Sequence, residues 1–414
     1  MTLVKNSAKV FSTRILRLII SLATGIILAR WLQPEGRGAF SLITQLIQFA
    51  VAIGGMSIGY ATIHFSGSGK YTTEEQVANS SFSAIVFSSL VCIIIIVAQP
   101  LMNRLFPFNY HDMIIILLII PVAMFDSYLR AVLQSKYQFT SINRLEVFQV
   151  ILFAIAIVTC AYTFRPFAYN AVIAWGISLL ISFIVLTRIV SRMAPIHLRF
   201  ERTLFKEHLS FGAKAHLTTV VGLLSLRFDQ YILGALTNTS EVGKYAVAVS
   251  LAELLWVIPS SVSFVLLPMA SHDNIMDSIR QIKRACLSVL GISIVTAVAL
   301  ALIAKPLIVY GFGESYRDSI RALMILLPGM VAVSITTVTT PFFLGKLGKP
   351  YLGAIVAAVS LVTNIVLNFI LIPTYGLVGA CVSSTISYIL ATLVNIAIFN
   401  NVCKKQKIKV GILL

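Results

Sequence analysis

The sequence contains very little charge. Only 11% of its 414 residues are charged, whereas a soluble globular domain has about 25%. Acidic residues are the scarcest, with 15 against 32 lysines and arginines, which gives a formal net charge of +17. A chain with 58% hydrophobic residues cannot cover a water-facing surface of this size. The composition therefore excludes a set of soluble domains and indicates an integral membrane protein.

Motifs typical of several other protein classes are missing as well. The five cysteines have no metal-ligand spacing, so they predict neither a disulfide framework nor a metal site. No GxxxxGK[ST] loop occurs, and we expect no ATP hydrolysis by this chain. No basic and aromatic patch lies outside the apolar runs, so cytoplasmic loops explain the positive charge better than nucleic-acid binding. No signal-peptide cleavage site follows the first apolar stretch, which is interpreted as an uncleaved helix.

Apolar segments of about 20 residues recur along the whole chain. A membrane β-barrel would instead show alternating segments of about 10 residues. The sequence therefore predicts an all-α integral membrane protein with about 12 transmembrane helices. Their approximate bounds are 10–31, 39–63, 78–99, 112–133, 145–164, 168–190, 210–236, 245–270, 286–304, 319–344, 351–372 and 377–400.

Loop charge and a weak internal repeat predict how the helices are arranged. With both termini in the cytoplasm, about 19 lysines and arginines lie on the cytoplasmic side and about six on the other. The tripeptide ILA at residues 27–29 matches ILG at 232–234. Further along each half, GAF at 38–40 matches GKY at 243–245. Chance is the alternative for such short matches. We predict two pseudo-symmetric six-helix lobes, residues 1–203 and 204–414, with the binding site between them.

Three stretches carry a resemblance to a known family. They are IILARWLQPEGRGAF at residues 26–40, DQYILG at 229–234 with VGKY at 242–245, and NIVLNFILIPTYGLVGA at 364–380. Together they resemble the polysaccharide-transporter family of Wzx-type O-antigen flippases, within the multidrug/oligosaccharidyl-lipid/polysaccharide exporter superfamily. The resemblance implies a central cavity, alternating access, and a substrate carried on undecaprenyl pyrophosphate. It also implies the bacterial inner membrane and coupling to an ion gradient or the membrane potential, with H⁺ or Na⁺ as the ion.

Charged residues inside predicted spans are candidate functional residues, because each costs about 2.5–3.5 kcal/mol to insert. Arg17, Lys214 and Arg227 are the candidate cations of a substrate-binding cavity. The planar guanidinium of arginine suits a pyrophosphate, since it donates to two oxygens at once. The alternatives are a lipid-contacting anchor for Arg17 and partial burial near the cytoplasmic mouth for Lys214.

Two further pairs of charged residues have two interpretations each. Asp126 and Arg130 stand four residues apart on one helix face and favour a structural ion pair, with a role in ion coupling as the alternative. Asp229 and Glu253 lie deeper in their spans. One interpretation is that one of these carboxylates exchanges a proton or binds Na⁺. The other is that it forms an ion pair with Arg227 or Lys214.

Asn364 and Asn368 share one face of the eleventh predicted helix. Asparagine side chains often form hydrogen bonds between membrane helices, so packing is the preferred role. A contact with a sugar is the alternative.

The leading hypothesis is a non-enzymatic flippase for undecaprenyl-pyrophosphate-linked oligosaccharide, an O-antigen or similar repeat unit. Its expected partners are this lipid, membrane lipids, and the polymerase and chain-length regulator of the same pathway. One alternative is a drug or cation antiporter of the same superfamily, which the excess of basic residues argues against. Another is a membrane polysaccharide polymerase or glycosyltransferase. Such an enzyme needs a long extracytoplasmic loop with acid–base residues, and no loop here is long enough.

Overall fold

The computed structural model describes residues 2–67, 69–105, 109–272, 275–343, 347 and 349–405. In these residues the secondary structure is helical throughout, with short 3₁₀ and π turns and no strand, so the predicted fold class is confirmed. The α-helices are α1 (Thr2–Gly54), α2 (Ile58–Gly67), α3 (Thr73–Leu105), α4 (Tyr110–Ser135), α5 (Phe139–Thr163), α6 (Ala168–Ser191), α7 (Arg202–Leu236), α8 (Thr239–Ala252), α9 (Val257–His272), α10 (Ile275–Pro306), α11 (Asp318–Pro341) and α12 (Pro350–Lys405).

Two of these helices are too long for one membrane span, and each has a kink. In α1 the backbone leaves the helical region at Gln33 (φ 56°), directly before Pro34. In α12 it does so at Gly376 (φ 52°), three residues after Pro373. Proline removes a helix hydrogen bond and clashes with the preceding turn, and glycine tolerates a positive φ without a steric penalty. Each kink therefore separates two spans within one continuous helix.

The span count agrees with the prediction of about 12. Within the described part of the chain, nine helical stretches are long and apolar enough to cross a membrane. A tenth is α7, which bends by 53° between Arg202–Lys214 and Thr219–Leu236. Dividing α1 and α12 at their kinks accounts for the other two. The chain is thus a multi-span membrane protein.

One predicted span, residues 39–63, is broken in the structure. Helix α1 ends at Gly54 and α2 begins at Ile58, with positive φ angles at Met56 and Ser57 between them. A Cβ atom at Gly54 would lie 2.0 Å from a methyl carbon of Val91 on α3. Helices α1 and α3 therefore pack this closely only because residue 54 has no side chain. This close contact is a tertiary feature that hydropathy does not report.

The chain divides into two compact units, called here the N-unit (Met1–Val220) and the C-unit (Val221–Leu414). The division falls inside α7, whereas the predicted lobe boundary is at residues 203/204. The two lobes and their pseudo-symmetry stay predictions.

Packing inside each unit is dense, and the outer faces are apolar. Ile47, Ile116 and Ile120 are fully buried in the N-unit core. In the C-unit, the rings of Phe342 and Phe399 pack with centroids 5.1 Å apart. Close van der Waals packing of this kind holds membrane helices together, because lipid supplies no hydrophobic driving force between them.

Candidate functional site

A cavity of about 330 Å³ in the N-unit brings charged, amide and aromatic side chains together. This volume is at the small end of the range for ligand-binding pockets. Helices α1, α4, α5 and α6 all contribute to its wall. The lining residues are Arg17, Arg130, Glu146, Gln149, Val150, Phe153, Trp175 and Ser178.

Arg17 and Glu146 form an ion pair in this cavity. The Arg17 Nη1 donates to Glu146 Oε2, although the two residues are 129 positions apart in the chain. Their side chains keep 43% and 38% exposure, so the pair is open to solvent or a ligand. Glu146 lies in the first part of α5, and its pairing with Arg17 places it at the cavity wall.

Arg130 and Asp126 form a second ion pair on α4, and it is more enclosed. The Arg130 Nε donates to Asp126 Oδ2 at 2.5 Å, and Nη2 donates to Oδ1 at 3.2 Å. Their side chains are only 18% and 10% exposed. The same Nη2 also lies 3.4 Å from the Gln149 Oε1 and from the Ser182 Oγ. Arg130 therefore fixes the orientation of the Gln149 amide at the cavity wall.

Aromatic side chains form the apolar part of the cavity wall. The Phe153 ring stacks on Phe40, with centroids 6.2 Å apart and planes 9° apart. Trp175 lies on α6 where Gly176 allows close approach to α4, since a Cβ at Gly176 would be 2.7 Å from Ile119 Cδ1. The buried Ser178 hydroxyl donates to the Trp175 carbonyl oxygen at 2.7 Å. The cavity thus combines two guanidinium–carboxylate pairs with aromatic walls.

The C-unit contains a buried polar network around Asp229. One Asp229 carboxylate oxygen accepts hydrogen bonds from the Tyr245 hydroxyl at 2.5 Å and the Ser384 hydroxyl at 2.9 Å. The other accepts from the backbone N–H of the following residue at 2.7 Å. Asn364 donates to Ser384 at 3.2 Å, and Asn368 donates to Asn364 at 2.8 Å. These contacts join α7, α8 and both halves of α12.

A cavity of about 20 Å³ lies beside this network and has room for about one water molecule. Its lining includes the carboxylates of Asp229 and Glu253 and the hydroxyl-bearing residues Tyr245 and Tyr388. Glu253 accepts from Arg227 Nη2 at 2.7 Å. Arg227, a candidate cavity cation from the sequence, is therefore neutralised by Glu253.

Lys214 is exposed at the end of the first part of α7. It is not among the residues that line either of these two cavities.

The structure brings together Arg17, Arg130 and Asp126 in the N-unit. In the C-unit it brings together Asp229, Glu253 and the two asparagines. No cluster of His, Cys, Asp or Glu suited to a metal ion occurs among the described residues.

Several residues of the N-unit cavity were not predicted from the sequence. Glu146, Gln149 and Phe153 are spaced i, i+3 and i+7, which puts them on one helix face and was a usable signal. Trp175 and Ser178 carry no comparable signal, because an aromatic and a small residue are common in any membrane helix. Only the contact between α4 and α6 brings them to the cavity.

Comparisons with known proteins agree on the family and the fold. The family described as "Polysaccharide biosynthesis protein" matches residues 27–321. A "Putative O-antigen transporter" of Shigella flexneri is 22% identical over 97% of this chain and 99% of its own length. The structure titled "Lipid II flippase MurJ, inward closed conformation" is 15% identical, with TM-score 0.80, covering 94% of this chain and 87% of its own.

A second similar structure is that of an inward-facing "multidrug resistance MATE family transporter of the MOP superfamily". It has TM-score 0.75 and 17% identity, covering 94% of this chain and 95% of its own. At these identities the two solved structures show the fold alone.

Proposed function

We propose that this chain, which belongs to the polysaccharide biosynthesis protein family, is a flippase for undecaprenyl-pyrophosphate-linked oligosaccharide. It moves an O-antigen or similar repeat unit from the cytoplasmic to the outer leaflet by alternating access, and it is not an enzyme. The observation that carries the proposal is the N-unit cavity. There a half-exposed arginine lies beside aromatic, amide and hydroxyl side chains. The similarity to a putative O-antigen transporter over nearly the whole chain supports it.

Arg17 is the residue proposed to bind the pyrophosphate. Its guanidinium is paired with Glu146. A pyrophosphate carries more charge than one carboxylate, and it accepts two parallel hydrogen bonds from the guanidinium. The substrate therefore displaces Glu146 and takes its place on Arg17. Lys214, which is exposed, is proposed as a second headgroup contact.

The Asp229 network is proposed as the site of H⁺ or Na⁺ coupling. An ionisable residue buried in a membrane span marks an ion pathway in many transporters. Asp229 is only 3% exposed, and the small cavity beside it gives room for one water or ion. The hydroxyl oxygens of Ser384 and Tyr245 are neutral ligands close to the carboxylate. No other cofactor or metal is proposed.

Coupling is tested by Asp229→Asn in proteoliposomes. The expected result is loss of the response of transport to an imposed H⁺ or Na⁺ gradient, with substrate binding retained. Full gradient dependence in this variant would assign coupling to another group.

The proposed location is the bacterial inner membrane, with both termini in the cytoplasm. The polymerase and chain-length regulator of the same polysaccharide pathway are the proposed protein partners. Cysteine accessibility at the cytoplasmic and outer ends of the helices tests the orientation.

Gene deletion tests the function itself. The expected result is loss of surface polysaccharide, with lipid-linked repeat units accumulating on the cytoplasmic face. Arg17→Ala should restore export about 10- to 100-fold less well than the unmodified chain, the equivalent of about 1.5–3 kcal/mol for a charge-assisted hydrogen bond. Arg165→Ala is the matched control, because this arginine is exposed between α5 and α6.

Normal polysaccharide in a deletion strain without a second flippase would contradict the proposal. Greater sensitivity of that strain to cationic drugs would instead support the antiporter alternative.

A further inference from the structure

We propose that the N-unit cavity holds a sugar ring of the lipid-linked oligosaccharide, with Trp175 as the surface on which the ring stacks. This inference rests on the proposed flippase function and names the part of the substrate that each side of the cavity takes. Arg17 binds the pyrophosphate at the exposed side. The wall formed by Trp175, Phe153, Gln149 and Ser178 binds the sugar.

The charge balance of the cavity favours a neutral ligand beyond Arg17. Arg130 is already held by two hydrogen bonds to Asp126, and both side chains are largely enclosed. A phosphate at that position would approach the Asp126 carboxylate at close range, where repulsion is weakly screened. A sugar ring brings hydroxyl groups and no charge, so it meets no such penalty. The enclosed side of the cavity therefore suits the sugar better than the pyrophosphate.

The aromatic wall matches the apolar face of a sugar. A pyranose ring presents C–H bonds on its faces and hydroxyl groups around its rim. The negative face of an aromatic ring attracts these C–H bonds, and the contact removes apolar surface from water. Trp175 has the largest aromatic face available in the cavity. Phe153 is held in place by its stacking on Phe40 and supplies a second apolar surface.

The polar groups of the wall are oriented by hydrogen bonds within the protein. The Gln149 Oε1 accepts from Arg130, so its Nε2 is the group that donates to a sugar hydroxyl oxygen. The Ser178 hydroxyl gives its hydrogen to the Trp175 carbonyl, which leaves the oxygen as an acceptor. The Gln149 donor and the Ser178 acceptor lie at fixed positions on helices, so together they select sugars whose hydroxyl groups stand at matching positions around the ring. A few oriented polar groups in an otherwise apolar wall are the usual arrangement of a small-molecule site.

The test compares two lipids and two variants of the purified full chain. The lipids are undecaprenyl pyrophosphate with the host's repeat unit and undecaprenyl pyrophosphate without sugar. Trp175→Leu should bind the sugar-bearing lipid about three- to tenfold more weakly, since aromatic contacts contribute about 0.5–1.5 kcal/mol beyond burial. It should bind the sugar-free lipid as the unmodified chain does. Arg17→Ala should weaken the binding of both lipids.

Trp31→Leu is the matched control, because Trp31 packs against the core of the N-unit and does not line the cavity. A melting temperature for each variant separates loss of binding from loss of folding. A second measurement uses a chain in which Trp31 and Trp256 are phenylalanine, so that Trp175 alone emits. The sugar-bearing lipid should change this emission, and the sugar-free lipid should not.

Equal weakening of both lipids by Trp175→Leu, or no weakening of either, would overturn the sugar assignment. So would a change in Trp175 emission with the sugar-free lipid. The flippase function would survive each of these results, provided that the deletion strain still accumulates lipid-linked repeat units inside. Failure of the proposed function has a different outcome, in which the unmodified chain binds neither lipid and the deletion strain exports normally.

Discussion

Replacing Arg130 by methionine tests whether the pair with Asp126 is a structural element of the N-unit. The change removes a guanidinium that donates to the carboxylate at 2.5 and 3.2 Å. It keeps an unbranched side chain with good helix propensity. The carboxylate, whose side chain is only 10% exposed, then has no cation beside it. Removing one partner of a buried ion pair strands the other charge, and the unit should lose stability.

The size of the effect follows from the burial of the pair. Breaking a buried ion pair costs about 3–5 kcal/mol. The lower end applies, because Arg130 lines a cavity of about 330 Å³ that admits water to the site. For a unit the size of the N-unit, 1 kcal/mol shifts the melting temperature by about 2–4 °C. The expected fall in the melting temperature is therefore about 6–12 °C.

The assay is thermal unfolding of the purified protein in detergent, followed by the reactivity of Cys92 and Cys160, the half-buried cysteines of the N-unit. The double variant Asp126→Asn with Arg130→Met removes both charges and should recover more than half of the loss. Arg188→Met, which changes an exposed arginine at the end of α6, is the control and should be nearly neutral. Equal shifts for Arg130→Met and Arg188→Met, or a double variant no better than the single one, would refute the reasoning.

Two further predictions concern the N-unit. Gly212→Ala should lower the melting temperature by the equivalent of about 1–3 kcal/mol, because the added Cβ would lie 2.4 Å from the Met56 carbonyl oxygen. A variant as stable as the unmodified chain would contradict this contact. Lys70 donates to both oxygens of Glu207 at 2.6 Å, and this bonding raises the pKa of Lys70. Its stabilising contribution is present below the ordinary lysine pKa and is lost only as pH rises through the raised value. Lys70→Met should thus lower the melting temperature by the same amount at every pH in the neutral range, and by less in high salt. A fall in melting temperature that changes across neutral pH would contradict the pairing of Lys70 with Glu207.

Local composition was enough to predict the elements of this fold. Runs of about 20 apolar residues identify membrane helices because the bilayer sets their length. Pro34 and Pro373 lie beside the two kinks, and the spans predicted on either side of them are separate in the structure. The family that the sequence motifs suggested agrees with the family model that matches residues 27–321.

The break between α1 and α2 shows where local reasoning stops. The segment around Gly54 and Gly55 is as apolar as its neighbours, so hydropathy predicts one uninterrupted span. In the structure the Tyr128 hydroxyl donates to the Gly55 carbonyl oxygen at 2.6 Å. Within the break this carbonyl also accepts a 3.2 Å bond from the Ile58 N–H, and the tyrosine gives it a second partner that lipid could not supply. The partner comes from α4, more than seventy residues away.

The sequence by itself determined the membrane class, the approximate number of spans, the family and several of the enclosed charged residues. It also favoured the pair of Asp126 with Arg130, which stand four residues apart on one helix, but only the tertiary structure decided the partners that lie on different helices. Arg17 meets Glu146 across 129 residues, and Asp229 meets Ser384 across 155. The physical reason is that hydropathy and helix periodicity describe one segment at a time. The partner of a buried charge depends on which helix faces pack together, and that is a property of the whole unit.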